Sequence, residues 1–408
     1  MNSAEHWLSI VGIGENGWDD LNGEAKRAVA STELLYGGAR HLALVPTAAS
    51  PAVRIAWPSP MAPAMQQILM EYRGKKIITV LASGDPMLHG VGVPLTRDLV
   101  ATEFRVIPQV SAFSLACARL GWPMAETNLV TLVNRPVDQL LRHLYPGQRL
   151  VIFSEDGSTP AIVARLLTEC GYGPSKIDVF ENLGGCSERN TSGLAASWRN
   201  DQCGKLNLMA ILCAADTTTK TLSLASGLPD DAFDTDGQLT KREIRAVTLA
   251  RLAPLPNQTL WDVGAGNGSI GIEWMRIHPS CACVAFEARA DRAARMRLNA
   301  ARLGVPALKV IEGTAPAAFA GVRAPDVIFL GGSVDDDHLF DACWAALSLG
   351  GRLVANGVTL QSESRLAARH ALHGGDLVRM MIARTDRIGD SLGWRPMMPI
   401  TQWTVIKP

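Results

Sequence analysis

One stretch constrains this chain more than any other. Thr259–Val263 is a short apolar run, Gly264-Ala265-Gly266-Asn267-Gly268 follows without a break, and helical spacing resumes from Ser269 through Met275. A buried strand that feeds a helix through a glycine turn opens a βαβ unit, because glycine alone combines a sharp turn with close approach of the backbone to a ligand. The next apolar run, 283–286, ends on Glu287. That acid lies about 20 residues past the loop, where a carboxylate can accept both hydroxyls of a ribose. The spacing predicts a doubly wound parallel sheet and an adenine nucleoside ligand. Asp262, before the loop, is expected to organise it. Further strands are expected at 309–311, 327–330, 352–355, 377–383 and 402–406, the last two forming a β-rich end. Upstream, Thr240-Lys241-Arg242-Glu243 fits a capping box opening a helix through Leu252.

At 408 residues the chain has room for two or three domains. Alternating strand and helix patterns run throughout, so the class is α/β. Residues 214–237 hold Thr217, Thr218, Thr219, Pro229 and several Asp with little apolar periodicity. They are expected to be a linker between a domain at 1–213 and a second at 238–408. Apolar residues make up 47% and charged residues 19%, which excludes global disorder. Lys and Arg together equal Asp and Glu at 39 each, so a whole-chain electrostatic grip on nucleic acid or lipid is not expected. No apolar run is long enough to cross a bilayer. Glu5 and His6 precede any apolar stretch, unlike a signal peptide. None of the eight cysteines forms a C-x-x-C pair, and Cys281 with Cys283 and His278 is a weak zinc set. The expectation is free, mostly buried thiols in a reducing cytoplasm and no metal.

The front half carries three loops. A strand at 7–11 runs into Gly12-Ile13-Gly14-Glu15-Asn16-Gly17, but Trp18-Asp19-Asp20-Leu21-Asn22 is a poor start for a dinucleotide-binding helix. A strand at 77–81 leads to Ala82-Ser83-Gly84-Asp85-Pro86. There Gly84 permits close approach and Pro86 fixes the turn, although a plain type I turn would use the same residues. Pro108-Gln109-Val110-Ser111-Ala112-Phe113 reads as a helix entry capped by Ser111.

In that order, VGIG, SGDP and PQVSAF resemble the tetrapyrrole methylase family over residues 6–213. Ile152-Phe153-Ser154-Glu155, Phe180-Glu181-Asn182-Leu183 and Asn207-Leu208-Met209-Ala210 stand where that family places its second subdomain. The resemblance implies two α/β subdomains, distinct from a Rossmann fold, with S-adenosylmethionine between them. Gly12, Gly14, Ser83, Gly84, Asp85, Ser111, Ala112, Met209 and Ala210 would border it. In the back half, the G-x-G-x-G spacing after Asp262 resembles class I methyltransferases. More closely, LTKREIRA, WDVGAGNGSIGIEW, Phe286-Glu287, EGTAP and GGRLVANGVTLQSE resemble the decarboxylating precorrin methyltransferases. That implies a second S-adenosylmethionine held by Gly264, Ala265, Gly266, Asn267, Gly268, Glu287 and Ala315, with Thr240 at the border. Thr314 departs from the Asp that related sequences often carry there.

Together the resemblances imply an enzyme of cobalamin biosynthesis with two cofactor sites per chain. It would methylate carbons 5 and 15 of a precorrin and remove carbon dioxide from the acetate on carbon 12. The front half would serve carbon 5, the back half carbon 15 and the acetate. A tetrapyrrole partner and a homo-oligomer are expected; nucleic acid and membrane are not. Methyl transfer needs alignment and exclusion of water more than a catalytic triad, and none is evident. Asn356, at the end of the 352–355 strand, is the candidate catalytic residue, since ligands gather at the carboxyl ends of strands. Arg242, Arg245, Arg387 and Arg395 are candidate carboxylate binders. His89 and His338 are candidate acids. Two other readings stay open: an oxidoreductase whose glycine loops hold nicotinamide cofactors, and a nucleic-acid methyltransferase. The second lacks the Asn/Asp-Pro-Pro-aromatic tetrad, Gly331-Gly332 standing there instead.

Overall fold

The computed structural model describes residues 6–408, so Glu5 lies outside the described residues. The chain divides into two units. One comprises the residues up to Val137 together with Tyr145–Thr219, the other Asp138–Leu144 together with Lys220–Pro408.

The first unit holds two sheets. Strands β1 (Leu8–Ile13), β2 (Leu34–Gly37), β3 (Val53–Ala56), β4 (Ile78–Ser83) and β5 (Phe104–Ile107) form a parallel sheet in the order β3-β2-β4-β1-β5. The central strands β1 and β4 are covered on both faces, which is why they read as apolar runs and not as alternating ones. The second sheet comprises β6 (Thr127–Thr131), β7 (Arg149–Phe153), β8 (Lys176–Glu181), β9 (Arg189–Leu194) and β10 (Asn207–Leu212), in the order β6-β7-β10-β8-β9. Only β6 and β7 pair in parallel there. The helix Ala112–Leu120 packs Phe113, Ala116 and Cys117 against Val151, Phe180 and Leu208 of this sheet. Ser111 caps it as expected, its Oγ accepting from the Ser114 N–H at 3.0 Å.

The second unit is the doubly wound sheet. Strands β11 (Thr259–Val263), β12 (Ala282–Glu287), β13 (Lys309–Glu312), β14 (Val327–Leu330), β15 (Arg352–Gly357), β16 (Asp376–Met380) and β19 (Ile400–Ile406) lie in the order β13-β12-β11-β14-β15-β19-β16. The first five are parallel, and β19 runs antiparallel between β15 and β16. The strand order reverses at β11, so the glycine loop leaves the sheet at its topological switch point. The expected strand at 377–383 is two elements. Strand β16 ends at Met380, and Ala383 begins a separate two-stranded ribbon of β17 (Ala383–Ile388) and β18 (Ser391–Pro396).

Two local expectations fail. The helix Arg242–Leu252 starts from Lys241, with no side-chain cap. Glu243 reaches Arg384 and Thr240 offers its carbonyl to Arg245, so tertiary partners displace the capping box. Much of 214–237 also packs where a free linker was expected. Leu228 and Phe233 are buried in the core of the second unit, with Leu222 and Ala232 against it. The apolar residues of this polar stretch are too scattered to show a period, yet Leu228 and Phe233 fill the core.

Candidate functional site

In the first unit, the carboxyl ends of β1 and β4, the entry of helix Ala112–Leu120 and the ends of β7 and β10 surround a cavity of about 430 Å³. Six expected residues line it: Gly14, Ser83, Gly84, Asp85, Ser111 and Ala112. Gly84 has φ +54, and its carbonyl accepts from the Gln109 N–H at 3.1 Å. Three expected residues are elsewhere. A Cβ on Gly12 would stand 1.9 Å from the Gly84 carbonyl oxygen, so Gly12 is there for packing between loops. Met209 and Ala210 are fully buried within β10, and their neighbours Asn207 and Leu208 line the cavity instead. The lining residues lie on the same strand, two positions nearer its start.

Much of the remaining lining is apolar and aromatic, including Trp57, Met61, Phe153 and Phe180, with Glu15, Arg40 and His41 among its polar residues. Two buried oxygens, Ser154 Oγ just after β7 and Asn207 Oδ1 at the start of β10, have no hydrogen-bond partner. An unpaired buried polar atom is costly, so they point to a polar ligand. Asp85 Oδ1 accepts from the Met87 N–H at 2.9 Å and holds the turn. His89, a candidate acid, lines the cavity in a left-handed conformation with its ring edge-on to Phe153. Burial, then the charge of Arg135, lowers its pKa. Sequence reasoning missed Arg40 and His41. They stand on a short helix after β2, and no motif marks them. His338 is exposed on the helix Asp337–Ala346.

In the second unit the loop after β11 is built as the spacing predicts. The N–H groups of Gly264 and Ala265 donate to the Phe286 carbonyl, at 3.0 and 3.1 Å, tying the loop to the end of β12. Glu287 accepts the Gly266 N–H on one oxygen at 2.8 Å and the Arg289 N–H on the other at 2.9 Å. Each oxygen keeps a lone pair for a ligand hydroxyl. Gly264, Gly266 and Gly268 all have positive φ. Asp262 Oδ2 accepts from the Gly271 N–H at 3.0 Å, so it anchors the first turn of helix Ser269–Ile277 more than the loop itself. Burial, with Glu287 adding to it, raises its pKa to about 7 against the Gly271 bond.

The Asn267 amide is engaged by neighbouring protein groups. Its Nδ2 donates to Thr235 Oγ1 and the Gln238 carbonyl, at 3.0 and 2.7 Å, pinning the segment before the helix to the loop. Ala315 is half-buried and Thr314 exposed on the loop after β13. Asn356 has both amide ends engaged: Nδ2 donates to Thr248 Oγ1 at 3.0 Å, and Oδ1 accepts from Gln402 Nε2 at 2.8 Å. It ties β15 to helix Arg242–Leu252 and to β19, which is a positioning arrangement.

The candidate carboxylate binders fare unequally. Arg245 is completely buried, its Nε donating to Glu273 at 2.6 Å and its other nitrogens to Asp230 and the carbonyls of Thr240 and Leu228. It cannot meet a substrate, and holds residues 227–230 to the core. Arg395 pairs with Asp386 at 2.6 Å, and Arg242 and Arg387 are exposed. Among the described residues no disulfide forms, and six of the eight cysteines are buried.

Comparison with known proteins covers both units. The model for tetrapyrrole (corrin/porphyrin) methylases matches residues 8–197, and that for the precorrin methyltransferase domain matches 231–407. A precorrin-6Y C(5,15)-methyltransferase [decarboxylating] of Sinorhizobium sp is 45% identical over 98% of this chain and 96% of its own length. A cobalt-precorrin-7 C(5)-methyltransferase of Salmonella typhimurium is 31% identical over 45% of this chain and 88% of its own. A probable cobalt-precorrin-6B C(15)-methyltransferase (decarboxylating) of Saccharolobus solfataricus is 31% identical over 33% of this chain and 71% of its own.

Proposed function

The chain belongs to the decarboxylating precorrin-6Y C(5,15)-methyltransferases, methyltransferases of cobalamin biosynthesis that use S-adenosylmethionine, and we propose that it holds two cofactors, one per unit, and divides its work between them. The front unit methylates carbon 5 of a precorrin. The back unit methylates carbon 15 and releases carbon dioxide from the acetate on carbon 12. The observation that carries this reading is the presence of two separate glycine-turn sites, each at the carboxyl ends of parallel strands. Relatives named for one carbon alone, each matching less than half of the chain, support it.

S-adenosylmethionine, when bound, supplies an electrophilic methyl group and a neutral thioether leaving group. The residues present fit it. In the front unit Gly14, Ser83, Gly84, Asp85, Ser111 and Ala112 would hold it, with the unpaired Ser154 and Asn207 oxygens accepting its polar hydrogens. In the back unit the turn from Gly264 to Gly268 gives close approach, and the Glu287 carboxylate accepts ribose hydroxyls. The chain's remaining task is alignment. The aromatic wall of the front cavity keeps water from the methyl acceptor, and rigid strand ends fix its distance from the donor. For decarboxylation, the conjugated macrocycle takes up the electron pair released with carbon dioxide, so the protein needs only to leave the departing carboxylate poorly stabilised.

Titration calorimetry with S-adenosylmethionine tests the reading: two sites per chain are expected, with Gly84→Val removing one and Gly266→Val the other. A single site that survives either change would overturn it.

A further inference from the structure

We propose that Ser83, His41 and Arg40 form a proton relay for the front-unit methylation, with Ser83 receiving the proton that the macrocycle must lose. The proposal rests on the reading of the front unit as a tetrapyrrole carbon methyltransferase. A meso carbon carries one hydrogen. Its bond to the incoming methyl carbon is made with electrons of the macrocycle, while the sulfur keeps the pair from the bond that breaks. The alkylated macrocycle is then a cation, and the meso proton must leave to restore neutrality and conjugation. Methyl gained, proton lost and neutral thioether released balance the step.

The cavity contains a group built to take that proton. Ser83 ends β4 with its hydroxyl on the cavity wall. Its Oγ lies 2.9 Å from His41 Nε2 and 2.9 Å from Arg40 Nη2, and Arg40 Nη2 lies 2.9 Å from His41 Nε2. A guanidinium only donates, so Nε2 must be an acceptor and the proton of the neutral ring sits on Nδ1. Nδ1 is buried with no hydrogen-bond partner. Glu15 pairs with the other end of Arg40 and fixes the guanidinium. Burial, then the Arg40 charge, lowers the pKa of His41 to about 4, which keeps Nε2 free to accept at neutral pH. A base that weak suffices because the donor is a cation.

Ser83 Oγ thus takes the meso proton while its own hydrogen moves to Nε2. Arg40 retains its bonds to Ser83 and Glu15. An imidazolium beside Arg40 is unfavourable, so the proton returns through Ser83 to water when the product leaves. Ser83 touches the substrate and is the catalytic residue here; His41 acts through it, and Arg40 positions both.

The test uses the full chain. Nitrogen-15 NMR of the cofactor-free protein reads the His41 tautomer directly: Nδ1–H is expected, and Nε2–H would overturn the relay. In single turnovers followed by mass spectrometry, His41→Gln and Ser83→Ala should each slow carbon-5 methylation by about 100-fold or more, the range of general acid–base catalysis. In His41→Gln the KM for the tetrapyrrole and the two-site cofactor titration should stay near wild type, which separates the relay from binding. Ser83→Thr should keep most of the rate, and added imidazole should restore part of it to His41→Gln. Ser83→Ala removes only an accessible hydroxyl, so it keeps the test decisive if His41→Gln does not fold. Wild-type rates in Ser83→Ala would overturn the relay alone. A wild-type chain that binds both cofactors but never methylates carbon 5 would overturn the reading of the front unit and the relay with it.

Discussion

Gly266 has φ +59, and no atom stands within 4 Å of where its Cβ would be. The space is therefore open on the ligand side, and what valine would disturb is the backbone, since a β-branched residue resists positive φ. Gly266→Val should leave a folded protein that binds S-adenosylmethionine at the front site alone, read by calorimetry as one site in place of two. Asp85 calls for a subtler pair. Asp85→Asn keeps the acceptor for the Met87 N–H and removes the charge; Asp85→Ala removes both. We expect both variants to cripple carbon-5 methylation while decarboxylation continues. If Asp85→Asn ran at the wild-type rate, the residue would serve the turn alone. These glycines and acids were legible in the sequence because backbone demands restrict residue type. Arg40 and His41 were not, because only the fold brings them to one cavity.

At the scale of elements, strand β11 carries a buried carboxylate whose pKa is raised from 3.8 to about 7. The folded state holds that proton more tightly than the unfolded chain. Asp262 therefore contributes stability that is full below 3.8 and is lost as pH rises through about 7. Asp262→Asn should remove this slope, so denaturant midpoints of variant and wild type should diverge in the variant's favour across that window. Parallel curves would mean that Asp262 is ionised throughout. The helix Arg242–Leu252 depends on a second buried charge. Arg245→Leu leaves Glu273 buried without its cation, and such a loss costs about 3–5 kcal/mol. Thermal melting should show it, whereas the KM of any folded fraction for the tetrapyrrole should not move, because Arg245 faces the core. In sequence Arg245 read as a candidate carboxylate binder, and its helix as a capped one. Both readings used local spacing, and in both cases partners distant in sequence, Glu273 and Arg384, decide the outcome.

For the whole molecule, the back fold was legible because its glycine turn sits between an apolar strand and a helix, whereas the front fold was read from the resemblance that its three loops carry. The antiparallel β19 inserted between β15 and β16, and the ribbon beyond it, were not, since pairing order among successive strands is set by packing. The limits of an independently folding back half follow from the same packing. Leu228 and Phe233 lie in its core, Asp234 exchanges hydrogen bonds with Asn299, and Glu273 accepts from the N–H groups of Gly227 and Leu228. A chain cut to 238–408 discards all of these, and a chain cut to 220–408 keeps them. Burial of the Leu and Phe side chains alone is worth about 4 kcal/mol, a difference of about 10 °C in melting temperature for a unit of this size. The longer piece should therefore be the soluble one. It should bind one S-adenosylmethionine and, given the tetrapyrrole, gain one methyl group and lose carbon dioxide. Equal melting temperatures for the two pieces would return 220–237 to the role of linker. A folded, cofactor-bound 220–408 that releases no carbon dioxide would show that decarboxylation draws on residues outside it.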